Sequence, residues 1–245
     1  LDEIAKLQLK SVMLFGIPAF KDEKGSSSLE DSGIIQQAIK YIKSQIPELI
    51  IIPDVCLCEY TNHGHCGIIN SNDNSIENDP SLNLLVKQAL SFAKAGADII
   101  APSAMMDGMV LAIREGLDSY GYKHLPIMSY AVKYASVMYG PFRMAAEGAP
   151  KFGNRKSYQM DYANSNEALK ETKLDIEQGA DIIMVKPART YLDVILKIKQ
   201  KFSEVPLAAG PRARSRRVPQ APQAAGRRRR RSRARARRGA RAGQA

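Results

Sequence analysis

The sequence predicts a (β/α)8-type barrel, and three observations lead there. Short apolar runs of strand length alternate with amphipathic helical patterns through residues 1–210, as in a parallel sheet covered on both faces. The segment Gly-Ala-Asp-Ile-Ile occurs at 96–100 and again at 179–183, at a helix-to-strand junction each time, as repeated units would place it. Residues able to do chemistry follow the strand candidates, on the end where such barrels carry their active sites. A doubly wound open sheet is the second choice.

Residues 12–17 read as the first strand, followed by a Lys-, Asp- and Ser-rich loop. Asp31 and Ser32 stand as caps before a helix with Ile34, Ile35, Ala38, Ile39 and Ile42 on one face. Residues 49–52 form the next strand, and Pro53-Asp54 is expected to turn the chain out of it. A helix over 81–95 carries Leu82, Leu85, Val86, Ala89, Leu90 and Ala93 and ends at Gly96. Strand 97–101, helix 107–119 and strand 125–130 follow. After a Gly- and Pro-rich stretch from 139 to 164 come helix 166–178, strand 180–185, helix 191–202 and a short run at 205–209. These are six strand candidates, the last cut short. The barrel is therefore expected to be incomplete. The start at Leu1 instead of Met reads as a cut.

The net charge of +11 and pI of 9.6 come from one segment. Residues 211–245 carry fourteen Arg and neither Lys nor acid, whereas residues 1–210 carry 22 basic against 25 acidic residues, a net −3. The residue usage switches abruptly at Gly210-Pro211, from types with AT-rich codons to types with GC-rich ones. A shifted reading frame or a fusion explains this best; a native arginine-rich arm for nucleic acid is the alternative. Either way this tail is expected to be disordered. The absence of a long apolar run argues against a membrane span or a secretory signal. Three clustered cysteines, an odd number, argue against a disulfide framework and for a reducing, cytoplasmic setting.

Cys56, Cys58 and Cys66 are all the cysteines of the chain and lie within eleven residues at the end of a strand. Three sulfurs leave one corner of a tetrahedral zinc open, as a catalytic site needs. A structural zinc closed by His63 or His65, and three unliganded thiols, are the alternatives. Reading along the strand ends gives Asp54 and Cys56, then Ser103, Lys133 and Lys186 on the same rim. To attack a carbonyl near neutral pH a lysine must lose a proton, which means lowering a pKa of about 10.4 by roughly 3 units, about 4 kcal/mol. Desolvation at a strand end and a second ammonium nearby both push that way. The stretch 139–164 is too long for an ordinary connection and suggests a lid. It carries Arg143 and Arg155, two of four arginines before residue 211, suited to bidentate capture of a carboxylate. A solvated loop with unrelated charges is the bland alternative.

Together Asp54–Cys58, His63-Gly64-His65-Cys66-Gly67, Ala101-Pro102-Ser103, 129–136, Gly140-Pro141-Phe142-Arg143 and 184–188 resemble the porphobilinogen synthase (delta-aminolevulinic acid dehydratase) family. The resemblance runs through residues 1–210 with the motifs in order. It implies a (β/α)8 barrel, assembly mainly as a homo-octamer, and condensation of two 5-aminolevulinate molecules to porphobilinogen with loss of two waters, an early step of haem and tetrapyrrole biosynthesis. It further implies Schiff bases at Lys186 and Lys133. Arg143, Arg155 and Gln159 would hold a substrate carboxylate, Asp54 and Ser103 would line the site, and Cys56, Cys58 and Cys66 would bind zinc. Glu171 matches an allosteric magnesium ligand of some members. Many members carry Asp where this chain has Ala104. By the resemblance the family's first strand is missing before Leu1, and its last strands are missing after Ala209, where they would bring a serine and a tyrosine to the first substrate's carboxylate. The competing expectation is a truncated, non-catalytic metal-binding remnant with a nucleic-acid-binding tail.

Overall fold

The computed structural model describes residues 1–210; the expectations for the arginine-rich tail at 211–245 lie outside the described residues. The first half contains α1 (Asp2–Lys6), β1 (Ser11–Leu14), α2 (Ile34–Gln45), β2 (Ile50–Val55), β3 (Ile68–Ile69), β4 (Ile76–Glu77), α3 (Asn78–Ala95) and β5 (Ala101–Pro102). The second contains α4 (Met109–Ser119), β6 (Met128–Lys133), α5 (Gly140–Ala145), α6 (Ser165–Glu177), β7 (Ile182–Lys186), α7 (Leu192–Lys201) and β8 (Leu207–Ala209). Pairing runs β1–β2–β5 and β6–β7–β8, all of it parallel. A parallel bridge between Ile100 and Ile127 joins the two groups. Six parallel strands thus lie side by side in chain order with helices between them, the winding of an α/β barrel. The small β3–β4 hairpin is antiparallel.

Two apolar layers follow from the period of two along each strand. One layer takes Met13, Ile52, Ala101, Met128, Tyr130, Met184 and Ala208, at least one from every parallel strand, and fills the concave side of the sheet. The other sets Ile51, Val55, Ile100, Ile127, Ile183 and Val185 against the helices. Helix α2 meets that second layer through Ile35, Ile39 and Ile42, its buried apolar stripe, and each such side chain contributes about 1.5–3 kcal/mol by leaving water.

The repeated Gly-Ala-Asp-Ile-Ile has a definite job. Gly96 and Gly179 take φ of +103° and +99°, the left-handed turn that ends a helix and that glycine adopts without a Cβ penalty. Two residues on, Asp98 Oδ2 accepts the Ile51 N–H at 2.7 Å and Asp181 Oδ2 accepts the Ile127 N–H at 2.8 Å. Each aspartate therefore fastens its incoming strand to the preceding one.

Several expectations need correction. Pro53 and Asp54 stay within β2 and do not turn the chain out. Ile51 and Val55 bond toward β5, so the N–H that Pro53 lacks falls on that same side, where regular pairing starts only at Asp54–Ala101. Neither Asp31 nor Ser32 caps α2, whose N-cap is Gly33; Asp31 pairs instead with Lys94 at 2.5 Å. The strand expected at 97–101 shrinks to two residues. The one expected at 125–130 starts later and runs on to Lys133. Helices α1 and α5 and the hairpin were not anticipated.

Candidate active site

The site is the next layer up from the concave apolar one. Two residues beyond Met13, Ile52, Ala101 and Met184 stand Phe15, Asp54, Ser103 and Lys186, and all four line one cavity at the C-terminal ends of the strands. On β6 the spacing is three, from Tyr130 to Lys133, because a register shift intervenes between Ser129 and Val132. That shift makes Lys133 and Lys186 direct register partners on adjacent strands. Asp54, Ser103, Lys133 and Lys186 thus line one cavity, and their parity explains why these side chains converge.

Both lysines are 6% exposed. Burial, and after it the charge of Lys133, lowers Lys186 from 10.5 to about 8. Lys133 donates from Nζ to the Ser103 carbonyl at 2.5 Å. Ser103 Oγ in turn donates to Asp54 Oδ2 at 2.9 Å. Burial pushes the Asp54 carboxyl above its usual range, although the two ammonium groups pull the other way. The second oxygen, Oδ1, has no partner.

Cys56, Cys58 and Cys66 are buried and free, and their sulfurs lie within 4.8 Å of one another. Cys56 Sγ donates to Cys58 Sγ at 3.3 Å, and Cys58 Sγ to Glu59 Oε2 at 3.1 Å. Burial pushes the Cys56 thiol up, while hydrogen bonds from Cys56 and Cys58 pull Cys66 well down. Three sulfurs this close, with one thiol favoured to ionise over the other two, fit a thiophilic divalent cation such as zinc. Neither histidine joins it. His63 is engaged by the Glu23 carbonyl and the His65 N–H, and His65 by Phe152 O and Tyr158 Oη. A structural zinc closed by either ring is therefore not what these residues build.

The stretch 139–164 folds down over this loop. The Lys151 N–H donates to His63 O, and Arg155 Nη2 donates to Gly64 O at 2.9 Å. Lys21 reaches across from the β1–α2 loop to the Glu147 carbonyl at 2.8 Å. Gly64, at φ +74°, lets the Ala149 carbonyl approach to where a Cβ would sit. Arg143 and Arg155 both line the cavity, and both have a buried Nε with no partner. Burial, then the charge of Arg155, disfavours the Arg143 cation. Gln159 is buried with its Oε1 unpartnered but does not line the cavity. Glu171 lies on α6, away from the cavity. Among the described residues it belongs to no cluster of three metal-ligating side chains.

Sequence reasoning missed Glu59, Tyr130, Tyr139, Phe15 and Phe142. Glu59 is 3% exposed, and burial, then Asp54, raises it to about 7. Its position inside the cysteine window was the available signal. Phe142 sits in the quoted Gly-Pro-Phe-Arg motif, and Phe15 directly follows β1, so both were in view without a role.

Fold and site together define an α/β-barrel protein with a lysine pair, a thiol cluster and an arginine-bearing cover at one rim. A family model, Delta-aminolevulinic acid dehydratase, matches residues 1–210. This chain belongs to the delta-aminolevulinic acid dehydratase family. It is 54% identical over 208 residues to the delta-aminolevulinic acid dehydratase of Archaeoglobus fulgidus, covering 85% of this chain and 64% of that one. Against the Bacillus subtilis enzyme it is 55% identical over 207 residues, covering 84% and 63%. The solved structure of delta-aminolevulinic acid dehydratase (porphobilinogen synthase) from Toxoplasma gondii, in complex with the reaction product porphobilinogen, superposes with a TM-score of 0.82 at 41% identity. That match covers 85% of this chain and 60% of the other. The chain thus spans less than two thirds of the length of the relatives it matches.

Proposed function

We propose that this protein is a porphobilinogen synthase, a lyase that condenses two 5-aminolevulinate molecules with loss of two waters. The observation that carries the reading is the register pair Lys133–Lys186, buried at adjacent strand ends beneath two arginines with unpartnered donors. Each substrate offers a ketone for a lysine and a carboxylate for a guanidinium. Lys186, lowered to about 8, is about one-tenth unprotonated at pH 7, enough to add to a ketone and form an imine. Lys133 is the second imine-forming residue, and its bond to Ser103 O orients the amine. Asp54, kept above its usual range by burial, is placed to trade protons with the nitrogen and oxygen atoms that change bonding. Arg143 and Arg155 take the carboxylate of one substrate, which removes the repulsion between them, and Gln159 supports that part of the cover.

Cys56, Cys58 and Cys66 would hold zinc, which when bound supplies a Lewis acid beside the second substrate. Magnesium at Glu171 would be regulatory and takes no part in the chemistry; among the described residues Glu171 belongs to no cluster of three metal-ligating side chains. The closed cavity measures about 10 Å³, about the space of one water. The cover must therefore lift for either substrate to enter. The family's homo-octamer is the proposed assembly. Three free thiols at one site favour a reducing, cytoplasmic setting. No helix among the described residues is long and apolar enough to cross a membrane.

Borohydride reduction of the full chain with 5-aminolevulinate, followed by peptide mass mapping, tests the reading. An adduct on Lys186 supports it. No adduct, beside a relative that traps normally, overturns it in favour of a non-catalytic remnant.

A further inference from the structure

Lys186 has an unusual set of neighbours for a buried cation. Among the described residues its Nζ makes no ion pair within 4.0 Å. Asp54 and Glu59, which share the cavity, favour its cation only from a distance, and Lys133 opposes it. Four aromatic rings face it directly: Phe142 at 4.6 Å from the ring centroid, Tyr130 at 4.9 Å, Phe15 at 5.5 Å and Tyr139 at 6.0 Å. All four fall within the roughly 6 Å over which a ring quadrupole attracts a cation. Lys133 is treated differently: among the described residues it faces only the Tyr130 ring, at 5.4 Å, and it donates a hydrogen bond to the Ser103 carbonyl. The cage is also held in shape. The Phe15 and Phe142 rings meet edge to face at 5.2 Å and 77°, and Phe142 comes from α5 of the cover.

We propose that these four rings form a cation–π cage that stabilises the iminium formed at Lys186, and that Phe142, the nearest, is a catalytic residue. The inference rests on the imine chemistry proposed above. In that step the amine nitrogen bonds to the ketone carbon and the carbonyl C–O bond breaks. The oxygen leaves as water with one proton from the amine and one from solvent, and nitrogen keeps its other proton and a positive charge. A carboxylate against Nζ would stabilise that charge, but it would also hold the free lysine as ammonium and stop it attacking. Aromatic faces attract the cation without accepting its proton. They offset part of the cost of burial for ammonium and iminium alike, by less than the ion pair that would hold the free lysine protonated.

Replacing Phe142 in the full chain by its mono-, di- and trifluorinated analogues changes the ring's quadrupole while nearly keeping its size. The readout is the equilibrium fraction of Lys186 trapped by borohydride with levulinic acid, which has the substrate's ketone and carboxylate but no amine. The cage predicts a graded fall of about threefold to thirtyfold in the imine equilibrium across the series. Constancy within twofold would reduce the ring to an apolar cover and overturn the proposal. A second readout needs no ketone: the pH midpoint for acylation of Lys186 by an amine-reactive probe should fall stepwise along the same series. A flat midpoint overturns the cage by itself. If the unsubstituted chain traps nothing, the imine reading fails while the acylation series still decides the cage.

Discussion

Replacing Lys186 by methionine should make the protein more stable, and the size of the gain follows from one displacement. Lys186 sits at about 8 instead of 10.5, with burial the main cause. That difference is about 3 kcal/mol of penalty against the ammonium in the folded state. Below pH 8 the lysine is protonated whether folded or unfolded, so the full penalty is present. Between 8 and 10.5 the unfolded chain holds the extra proton, so the parent's stability rises with pH through that window. Lys186→Met, of similar length and uncharged, escapes the penalty. At pH 7 its urea midpoint should lie about 1 M above the parent's, for a slope of 2–3 kcal/mol/M. At pH 9.5 the gap should shrink to about half. Equal midpoints at pH 7, or a gap that does not narrow, would refute the claim that burial sets the state of this lysine.

Asp175, held by Ser129 at 2.5 Å and raised to about 6 mainly by burial, should make the parent lose stability as pH climbs from about 4 through 6. In Asp175→Asn that slope should flatten, read from melting temperatures at pH 4.5 and 7.5; an unchanged slope would contradict it. Gly64→Ala places a Cβ at 2.2 Å from the Ala149 carbonyl oxygen, at a φ of +74°. The cover should lift, at a cost of about 1–3 kcal/mol, and limited proteolysis should cut within 146–158 faster than in the parent. Cys66→Ser should weaken zinc binding, measured by chelator competition, by more than the roughly 10–100-fold typical of outer-shell changes; parent-like affinity would remove Cys66 from the ligand set.

The strands were legible where apolar runs were bounded by helix-stop glycines, and the repeated Gly-Ala-Asp-Ile-Ile marked two such junctions correctly. What it did not disclose is that Asp98 and Asp181 reach sideways to Ile51 and Ile127, because a side-chain bond to a neighbouring strand has no local sequence period. Strand β5 was overestimated because Ile99 and Ile100 alternate between the two apolar layers as strand residues do, while pairing before Ala101 is limited to single contacts such as the Ile100–Ile127 bridge. Helix α5 has six residues and opens on Gly140-Pro141, too short and too poor in helix formers to show a period. The lid was legible as a length anomaly. Its contacts with the cysteine loop, such as His65 to Phe152, join residues 87 apart in sequence and depend on how the cover docks.

The feature that completes the site was the least legible. By simple alternation Lys133 would share the face of Ser129, which looks outward to Asp175 on α6, and would point away from Lys186. The register shift between Ser129 and Val132 puts Ala131 and Val132 both into the layer against the helices, as a bulge does when it adds one residue to a strand. Lys133 is thereby turned inward, into register with Lys186 and onto Ser103. One irregularity thus makes a pair of lysines out of residues whose parity would have separated them. Deleting Ala131 removes the extra residue together with the bulge, so regular alternation from Tyr130 then carries Lys133 inward, and the acylation midpoint of Lys186 should stay low. A midpoint raised towards that of an ordinary lysine would mean that the second ammonium had left that side of the sheet and would refute the parity argument.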